Sequence, residues 1–590
     1  MCGIFVSACI SSDKSSCAQL EEIQAVLKDQ NAQRGPDAQN TVNFSIPLDK
    51  SAKETLLVSG SKERELVLQF YGSELRLRGS RQVIQPHLRD GDILCWNGEI
   101  FDGLQIEADE NDGSKLFDML CSLETPQQIL DALSSIEGPY AMAFFHNRSK
   151  HLYFAQDPLG RRSLLIHLPR SKSPYFLLSS VSAGTHPGYV FEEPSTSSIF
   201  YLDIGSWRVQ KYDIVDDFNR VLKSLPRGLT PTTATEFKII PNVNRTLPPD
   251  DITLAASLDI VPEYLRSSTD EFIKQLDRSV KLRVQNIPQL ASGKPKLAVL
   301  FSGGIDSTII TYLAHRHLPL SEPIDLLNVA FENPRKIKGN VTGVSRKRPA
   351  KDKTLEVLHN DDFKRYKVPD RMTGMDEVEE LRRLCPGRIW NFVEVNVPYE
   401  VCQSARATVE ALMVPGRTVM DLSLALALYF ASRGQGQIRK SSDFGPTPYT
   451  SEARVLLNGL GSDELLGGYG RHRTAFETGQ WLAVINELQL ELDRIPTRNL
   501  GRDDRVISSH GKETRHPFLS LSLVSFLASL PIHVKMDPRL PPGFGDKMLL
   551  RFACRQLGLV EASSRKKRAM QFGSHSARMD GERRGDVALE

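Results

Sequence analysis

The chain is expected to fold as an α+β sandwich of stacked sheets, followed by an α/β domain built on a parallel sheet. Three observations predict this. Up to about residue 210, short apolar runs are cut every few residues by Gly, Pro, Asp and Asn, the rhythm of antiparallel strands and tight turns. From about residue 296, apolar runs of strand length alternate with stretches of helical periodicity, the order that builds βα units. Between them, Pro226, Pro231, Pro241, Pro248, Pro249 and Pro262 punctuate a mixed stretch that reads as a linker.

In chain order, the first half offers strands at 66–68, 93–96, 141–145, 152–154 and 175–178, with helices near 18–29 and 114–122. Ser268 and Glu271, three apart, fit a capping box that starts a helix carrying Phe272, Leu276 and Val280 on one face. The second half offers strands at 296–301, 324–331, 392–397 and 454–457. Helices are expected at 308–315, 375–384 and 419–431. The stretch 334–367 is basic and poor in apolar residues, as a surface insertion would be, and the charged tail beyond Ala577 is expected to fray.

Composition excludes several classes. Across the 590 residues, 40% are hydrophobic and 25% charged, an ordinary globular mixture. The 74 basic and 72 acidic residues leave a formal charge of +2, so no global field draws the chain to nucleic acid or membrane. The eight cysteines form no CxxC pair, which fits thiols in a reducing compartment. The first residues carry no basic segment ahead of an apolar one, so they do not read as a signal peptide. The richest apolar stretch, 422–431, falls short of the ~18 residues a membrane span needs. A cytoplasmic address is the expectation.

Cys2 directly follows the initiator Met. If Met1 is removed, the thiol shares its residue with a free α-amine of reference pKa ~7.7–8.0, a base usable near neutral pH. A thiol with its own base is a compact activated nucleophile. Asn97-Gly98 ends a strand and can offer a side-chain and a backbone N–H, the donors an oxyanion needs, although Asn-Gly is also a common hairpin turn. Five segments follow in order: Cys2-Gly3-Ile4-Phe5, Arg34-Gly35-Pro36-Asp37, Asn97-Gly98-Glu99-Ile100-Phe101, Glu137-Gly138-Pro139-Tyr140-Ala141 and Asp157-Pro158-Leu159-Gly160-Arg161. Together they resemble the class II glutamine amidotransferase domain, an N-terminal-nucleophile αββα sandwich, over residues 2 to about 205. The resemblance implies that Cys2 attacks glutamine's amide, Asn97 and Gly98 hold the oxyanion, and Glu99 and Asp112 grip the α-amine. It also implies that Arg76 or Arg78 binds the carboxylate. The two share a face at period two, and Arg78 is favoured. Gln33 and Asn111 stand where the family often has His and Ser.

In the second half, Leu300-Phe301-Ser302-Gly303-Gly304-Ile305-Asp306-Ser307 ends a strand and opens a helix. Small residues let backbone N–H groups approach a phosphate at the positive end of a helix. No Gly-Lys-Ser/Thr follows, so this is not a Walker loop. The string resembles the PP-loop of ATP pyrophosphatases. The segment from Asn458-Gly459-Leu460-Gly461 through Ser462-Asp463-Glu464 to Gly467-Gly468-Tyr469 resembles the corresponding loop of asparagine synthetases, as do Glu513-Thr514-Arg515-His516-Pro517-Phe518-Leu519 and the Lys547 and Arg551 pair. Order and content resemble the asparagine synthetase family, closest to its divergent domain-containing branch, which Arg568-Ala569-Met570-Gln571-Phe572-Gly573 also suggests.

The resemblance implies a glutaminase domain at 2–210, a linker at 211–265, an ATP pyrophosphatase (PP-loop) synthetase domain at 266–577 and a charged tail at 578–590. ATP and Mg²⁺ are the implied cofactors; glutamine, aspartate and a second copy of the chain are the expected partners. ATP and pyrophosphate are expected on Leu300, Ser302, Gly303, Gly304, Asp306, Ser307, Phe331, Asn458, Gly459, Lys547 and Arg551, with Lys547 also catalytic. Mg²⁺ is expected on Asp306, Asp463 and Glu464. One departure matters: Leu460 stands where asparagine synthetases carry Glu, and leucine can neither accept a proton nor bind a cation. The expected activity is glutamine-dependent amidation of aspartate through an adenylate. The alternatives are a relative that binds ATP or partners without making asparagine, and one that amidates another carboxylate.

Overall fold

The computed structural model describes residues 2–589 except 11–13, 49–64, 208–213, 229–236, 238, 289–292, 333–363, 440–444 and 580–585. The basic insertion therefore lies almost wholly outside the described residues. The chain divides into two compact units. The first is Met1–Ile240 with Ala411–Pro415 and Ile495–Lys512; the second is Pro241–Glu410, Gly416–Arg494 and Glu513–Glu590. The expected single linker is divided. Its first part forms a helix, Ile214–Val221, and a strand, Leu222–Pro226, that complete the first unit. The segment 495–512, expected in the synthetase domain, belongs to the first unit as well.

Eleven strands among the described residues build the first unit: β1 (Gly3–Ile10), β2 (Ala38–Pro47), β3 (Glu65–Glu74), β4 (His87–Arg89), β5 (Asp92–Gly98), β6 (Tyr140–His146), β7 (His151–Gln156), β8 (Leu165–His167), β9 (Phe176–Ser179), β10 (Ser198–Asp203) and β11 (Leu222–Pro226). They form a five-stranded sheet, β2-β3-β1-β9-β8, and a six-stranded sheet, β11-β10-β7-β6-β5-β4. Side-chain alternation explains the layering. Ile4, Val6 and Ala8 of β1 meet Ala141, Ala143 and Phe145 of β6 in one buried core between the sheets. The other face of β6, Tyr140, Met142 and Phe144, packs under helices Asp112–Cys121 and Pro126–Ser134 through Leu116, Leu120, Ile129 and Leu133. Phe5 of β1 packs instead under helix Lys14–Ala32 with Leu20, Ile23 and Leu27. The layers run helix, sheet, sheet, helix, as the resemblance implied.

The second unit is built on β12 (Leu297–Leu300), β13 (Ile324–Phe331), β14 (Trp390–Val397), β15 (Gln435–Ile438), β16 (Thr447–Thr450), β17 (Val455–Leu457) and β18 (Glu513–Arg515), in the order β16-β15-β14-β13-β12-β17-β18. The five strands from β14 to β18 in that order are parallel, and β15 and β16 add an antiparallel edge. β12 has β13 on one side and β17 on the other, so the winding reverses there and leaves a crevice at the carboxyl ends of both neighbours.

Three local expectations are corrected. The helix expected to follow a Ser268 cap starts six residues earlier, as Glu263–Val284, with Pro262 before it and no side-chain cap. Leu265, wholly buried, already continues the apolar stripe upstream, and Thr269 Oγ1 donates to its carbonyl instead of capping anything. The missed helix Pro126–Ser134 does carry a capping box, with Thr125 and Gln128 bonded reciprocally. The tail does not simply fray: Val587 and Leu589 bond in the backbone to Val419 and Arg417.

Candidate active site

The thiol site of the first unit lies where β1, β3 and β5 begin or end. Cys2 is only 8% exposed. Its backbone N–H donates to Asn97 Oδ1 at 3.0 Å, and Gln85 Nε2 donates to its Sγ at 3.3 Å. Gln85 is oriented by the Trp96 N–H, which donates to Oε1 at 2.8 Å. Burial pushes the Cys2 thiol up to about 11. The resting thiol therefore keeps its proton at neutral pH, and a base must take it during attack. With its oxygen committed to Cys2, Asn97 leaves Nδ2 wholly buried and without a partner. A buried amide N–H with no acceptor is costly unless something else supplies one. An oxygen carrying negative charge beside Sγ would do so.

Three of the sequence segments brace this corner. Arg161 of Asp157-Pro158-Leu159-Gly160-Arg161 bonds Asp157 at 2.9 Å and Glu137 at 3.0 Å, and donates to the Gly138 carbonyl at 2.7 Å. Glu99 N–H donates to the Pro139 carbonyl at 3.0 Å. A Cβ on Gly138 would lie 1.8 Å from the Glu99 carbonyl oxygen, so only glycine permits this approach. These motifs hold the Asn97-Gly98-Glu99 turn and need touch no ligand themselves.

Arg76 and Arg78 take different partners. Arg78 Nε pairs with Glu99 at 2.8 Å, and its Nη2 donates to the Ile100 carbonyl. Arg76 turns away, to the carbonyls of Gly79 and Ser80. Asp112, 3% exposed, accepts the Ile100 N–H at 2.9 Å and lies close enough to the thiol to oppose its ionisation. Sequence reading passed over Gln85 and Glu74. Glu74 is buried near the chain terminus, one of its carboxylate oxygens has no partner, and burial pushes its carboxyl up to about 7. Neither lies in a recognisable motif.

The second site occupies the crevice at β12 and β17. Lys547 is 1% exposed. Its ammonium lies 2.8 and 2.7 Å from the two Asp306 oxygens and 2.7 Å from Asp463. Ser462 Oγ donates to Asp306 at 2.7 Å, and Lys567 pairs with Asp463. Lys547 adopts a left-handed backbone, φ +52°, at the start of helix Met548–Gln556, a strained conformation for a long side chain. It is thus a helix-starting residue aimed into the crevice, not one member of an exposed face. A Cβ on Gly468 would lie 2.0 Å from Asp463 Oδ1 and 2.3 Å from Lys547 Cε, and one on Gly467, at φ +71°, would lie 2.1 Å from the Met536 sulfur, which accounts for the paired glycines.

Burial opposes ionisation of Asp463, yet Lys547 and Lys567 hold its carboxyl well below the usual range. Burial also opposes the Lys547 charge, and Asp306 and Asp463 overcome it and hold the ammonium protonated. Glu464 instead accepts from Tyr469, and burial together with the Asp463 charge raises its carboxyl. Asp306 and Asp463 converge on one cation, and Glu464 does not join them there. Among the described residues no group of three or more His, Cys, Asp or Glu is arranged to hold a metal.

A small cavity of about 60 Å³ adjoins this cluster, lined by Ser302, Gly303, Gly304, Asp306, Lys547 and Arg551, and by unexpected residues: Asp370, Thr373 and the cations at 565–568. Its volume suits a phosphate group and not a whole nucleotide. Leu300, Ser307, Phe331, Asn458 and Gly459 are not in that lining. Gly459 nevertheless abuts Asp306, and Asn458 accepts the Leu460 N–H. Arg551 is not the free cation its spacing suggested. Its guanidinium donates to the carbonyls of Ser563 and Arg565 at 2.8 Å and pairs with Asp546. It therefore fixes the segment that brings 565–568 to the cavity.

The family model described as asparagine synthase matches residues 272–366 and 476–588. Asparagine synthetase domain-containing protein 1 of Gallus gallus is 35% identical over 98% of this chain and 98% of its own. The Homo sapiens protein of the same name is 36% identical over 98% and 96%. An asparagine synthetase domain-containing protein of Saccharomyces cerevisiae is 32% identical over 89% and 87%. A solved glutamine phosphoribosylpyrophosphate amidotransferase from B. subtilis, complexed with ADP and GMP, aligns at 13% identity over 59% of this chain and 69% of that one, with a TM-score of 0.25, too weak a likeness to carry an argument.

Proposed function

The chain belongs to the asparagine synthase family, among its asparagine synthetase domain-containing proteins, and on that premise we propose that it is a glutamine-dependent amidotransferase that consumes ATP. The observation that carries the reading is the partnerless, buried Asn97 Nδ2, whose amide oxygen is held by the backbone N–H of Cys2. Cys2 Sγ attacks the glutamine amide carbon, and its proton passes to the Cys2 α-amine freed by removal of Met1. The C=O electrons move to oxygen, where Asn97 Nδ2 and the Gly98 N–H receive the charge. Collapse returns that proton from the α-amine to the leaving nitrogen, expels ammonia and leaves a thioester, which water cleaves to glutamate and the free Cys2 thiol. Arg78 and Glu99 present opposite charges side by side, a match for the carboxylate and ammonium of an amino acid, with Asp112 adding to the acidic side.

In the second unit, Ser302, Gly303 and Gly304 line a phosphate-sized cavity at the N-terminus of helix Ile305–Arg316. Asp306 and Asp463 would hold Mg²⁺: hard oxygen donors suit that ion, and both already face one cation, the Lys547 ammonium. Such an ion would screen phosphate charge when bound. A substrate carboxylate oxygen attacks the α-phosphorus of ATP, and pyrophosphate leaves toward Lys547 and the cations at 565–568. Ammonia then displaces AMP to form the amide, with aspartate as the proposed acceptor. Leu460, partly buried beside this loop, supports a second reading in which the acceptor is another carboxylate.

The test supplies ATP, Mg²⁺, labelled aspartate and either glutamine or ammonium. AMP and labelled asparagine with both nitrogen donors support the main reading. AMP dependent on a different carboxylate supports the second.

A further inference from the structure

The helix Leu500–Ser508 belongs to the first unit although the chain on either side of 495–512 belongs to the second. Every residue of this helix is buried, including Arg502, Asp503, Asp504 and Arg505. An apolar helix of that size would pack at lower cost, so four buried charges need a reason beyond stability. Their partners supply one. Arg505 donates to the Leu412 carbonyl at 3.0 Å and to Ser163 Oγ at 2.9 Å, and pairs with Glu193 at 2.8 Å, which fixes the helix in place. Asp504 accepts the Ser163 N–H at 3.0 Å and pairs with Arg34 at 2.7 Å, both side chains wholly shielded from solvent. Arg162 approaches the other Asp504 oxygen at 3.5 Å. Arg34 Nη1 also donates to Ser508 Oγ, and Arg34 Nε donates to the carbonyl oxygen of Cys2 at 3.3 Å.

Cys2 is thus held at three points: at its nitrogen by Asn97, at its sulfur by Gln85 and at its carbonyl by Arg34. The first two anchors belong to the thiol site. The third is oriented from a helix about 470 residues further along the chain. We propose that Asp504 is a positioning residue for the Cys2 nucleophile, acting through Arg34. The inference rests on the reading of Cys2 as the glutaminase nucleophile. Asp504 touches no substrate atom. It holds the arginine fork so that Nε meets the Cys2 carbonyl, and this fixes where thiol and α-amine point. A nucleophile displaced by ~1 Å loses on the order of 10²-fold in rate while substrate binding is little changed.

The experiment uses the full-length, processed protein with Asp504→Asn and Arg34→Lys, the latter keeping a cation for Asp504 but losing the Nε donor. Circular dichroism and melting report the fold. Glutamine hydrolysis gives kcat and KM, and mass-resolved alkylation of Cys2 by iodoacetamide between pH 6 and 10 gives thiol reactivity. The expected result is a kcat lower by about 10–100-fold, KM within about 2-fold, and a shifted alkylation profile in both variants. Folded Asp504→Asn protein with wild-type kcat and alkylation profile overturns the proposal. If Asp504→Asn does not fold, Arg34→Lys decides: a wild-type kcat and alkylation profile there overturns it equally. A wild-type chain that hydrolyses no glutamine overturns the reading of Cys2 instead, and the alkylation comparison alone then decides the role of Asp504.

Discussion

The thiol site and the phosphate site treat charge in opposite ways. In the first unit the reactive group is neutral: burial pushes the Cys2 thiol up to about 11, and a spare Asn97 N–H waits nearby. In the second unit charges crowd together and satisfy one another, with Lys547 bridging Asp306 and Asp463 while Lys567 covers the latter. The first site is poised for charge that appears during a reaction, and its donors need not move. On the proposed function, the second would have to exchange partners to take phosphate and Mg²⁺, because its cations and carboxylates already occupy each other. On that reading, one is preorganised for a transition state and the other is preassembled around an internal stand-in.

The largest expected effect falls on the first unit. Cys2→Ala abolishes glutamine hydrolysis and leaves the ammonium-driven reaction intact, and intact mass shows active protein beginning at Cys2. Met1 retained on active enzyme would break that half of the comparison. Asn97→Ala lowers kcat for glutamine by about 10²–10³-fold with a smaller change in KM, as loss of one oxyanion donor does. Equal loss in KM alone would mean that Asn97 holds ground-state glutamine.

The second unit is tested by Asp463→Ala. Lys547 keeps Asp306 at 2.7 Å, so the fold survives by circular dichroism, while Mg²⁺-ATP binding by calorimetry weakens about 10–100-fold, the value of one charge-assisted contact. Unchanged affinity would contradict the partner exchange. Leu460→Glu has a smaller effect: ammonium-dependent amide formation rises about 10-fold, below the 10²–10⁴ of a fully positioned base, with ATP affinity nearly constant. An equal or lower yield in folded, ATP-binding protein would point to a site rebuilt around another acceptor.

The smallest effect is on stability. Burial raises the Glu74 carboxyl from 4.5 to about 7 in the folded chain. Its contribution to stability is therefore complete below pH 4.5 and is lost as pH rises through 7. Glu74→Gln cannot ionise, so it gains on wild type across that window by on the order of 1 kcal/mol, after solvent screening, and levels off above it. Parallel stability curves would show that an added charge carries no penalty in the first unit.

Short apolar runs cut by turn residues made strands such as β6 legible; β1 was not expected as a strand, and it took the structure to show that β1 and β6 bury different side chains on their two faces. The parallel sheet was legible from its alternating elements. Helix starts were less so: Pro262 opens a helix with no side-chain cap, while a capping box at Thr125 lay in a stretch where no helix was expected. Cys2, Asn97, Asp306, Asp463 and Lys547 stood out because they sit in dense local strings. Gln85, Arg34's partner Asp504 and the cations at 565–568 did not, since their roles come from contacts across 83, 470 and 104 residues of chain. Arg76 and Arg78 were expected to share a strand face, but β3 ends at Glu74, and they are told apart by their contacts: Arg78 with Glu99, and Arg76 with the Gly79 and Ser80 carbonyls.

On the proposed function, nitrogen released at Cys2 ends in an amide made at the expense of ATP. The most direct test incubates the processed chain with amide-¹⁵N glutamine, ATP, Mg²⁺ and aspartate, and follows AMP, glutamate and ¹⁵N-asparagine together. The account predicts all three in equal amounts, with Cys2→Ala forming asparagine only when ammonium is supplied. Glutamate released without AMP or any labelled amide, at every carboxylate tried, would contradict it.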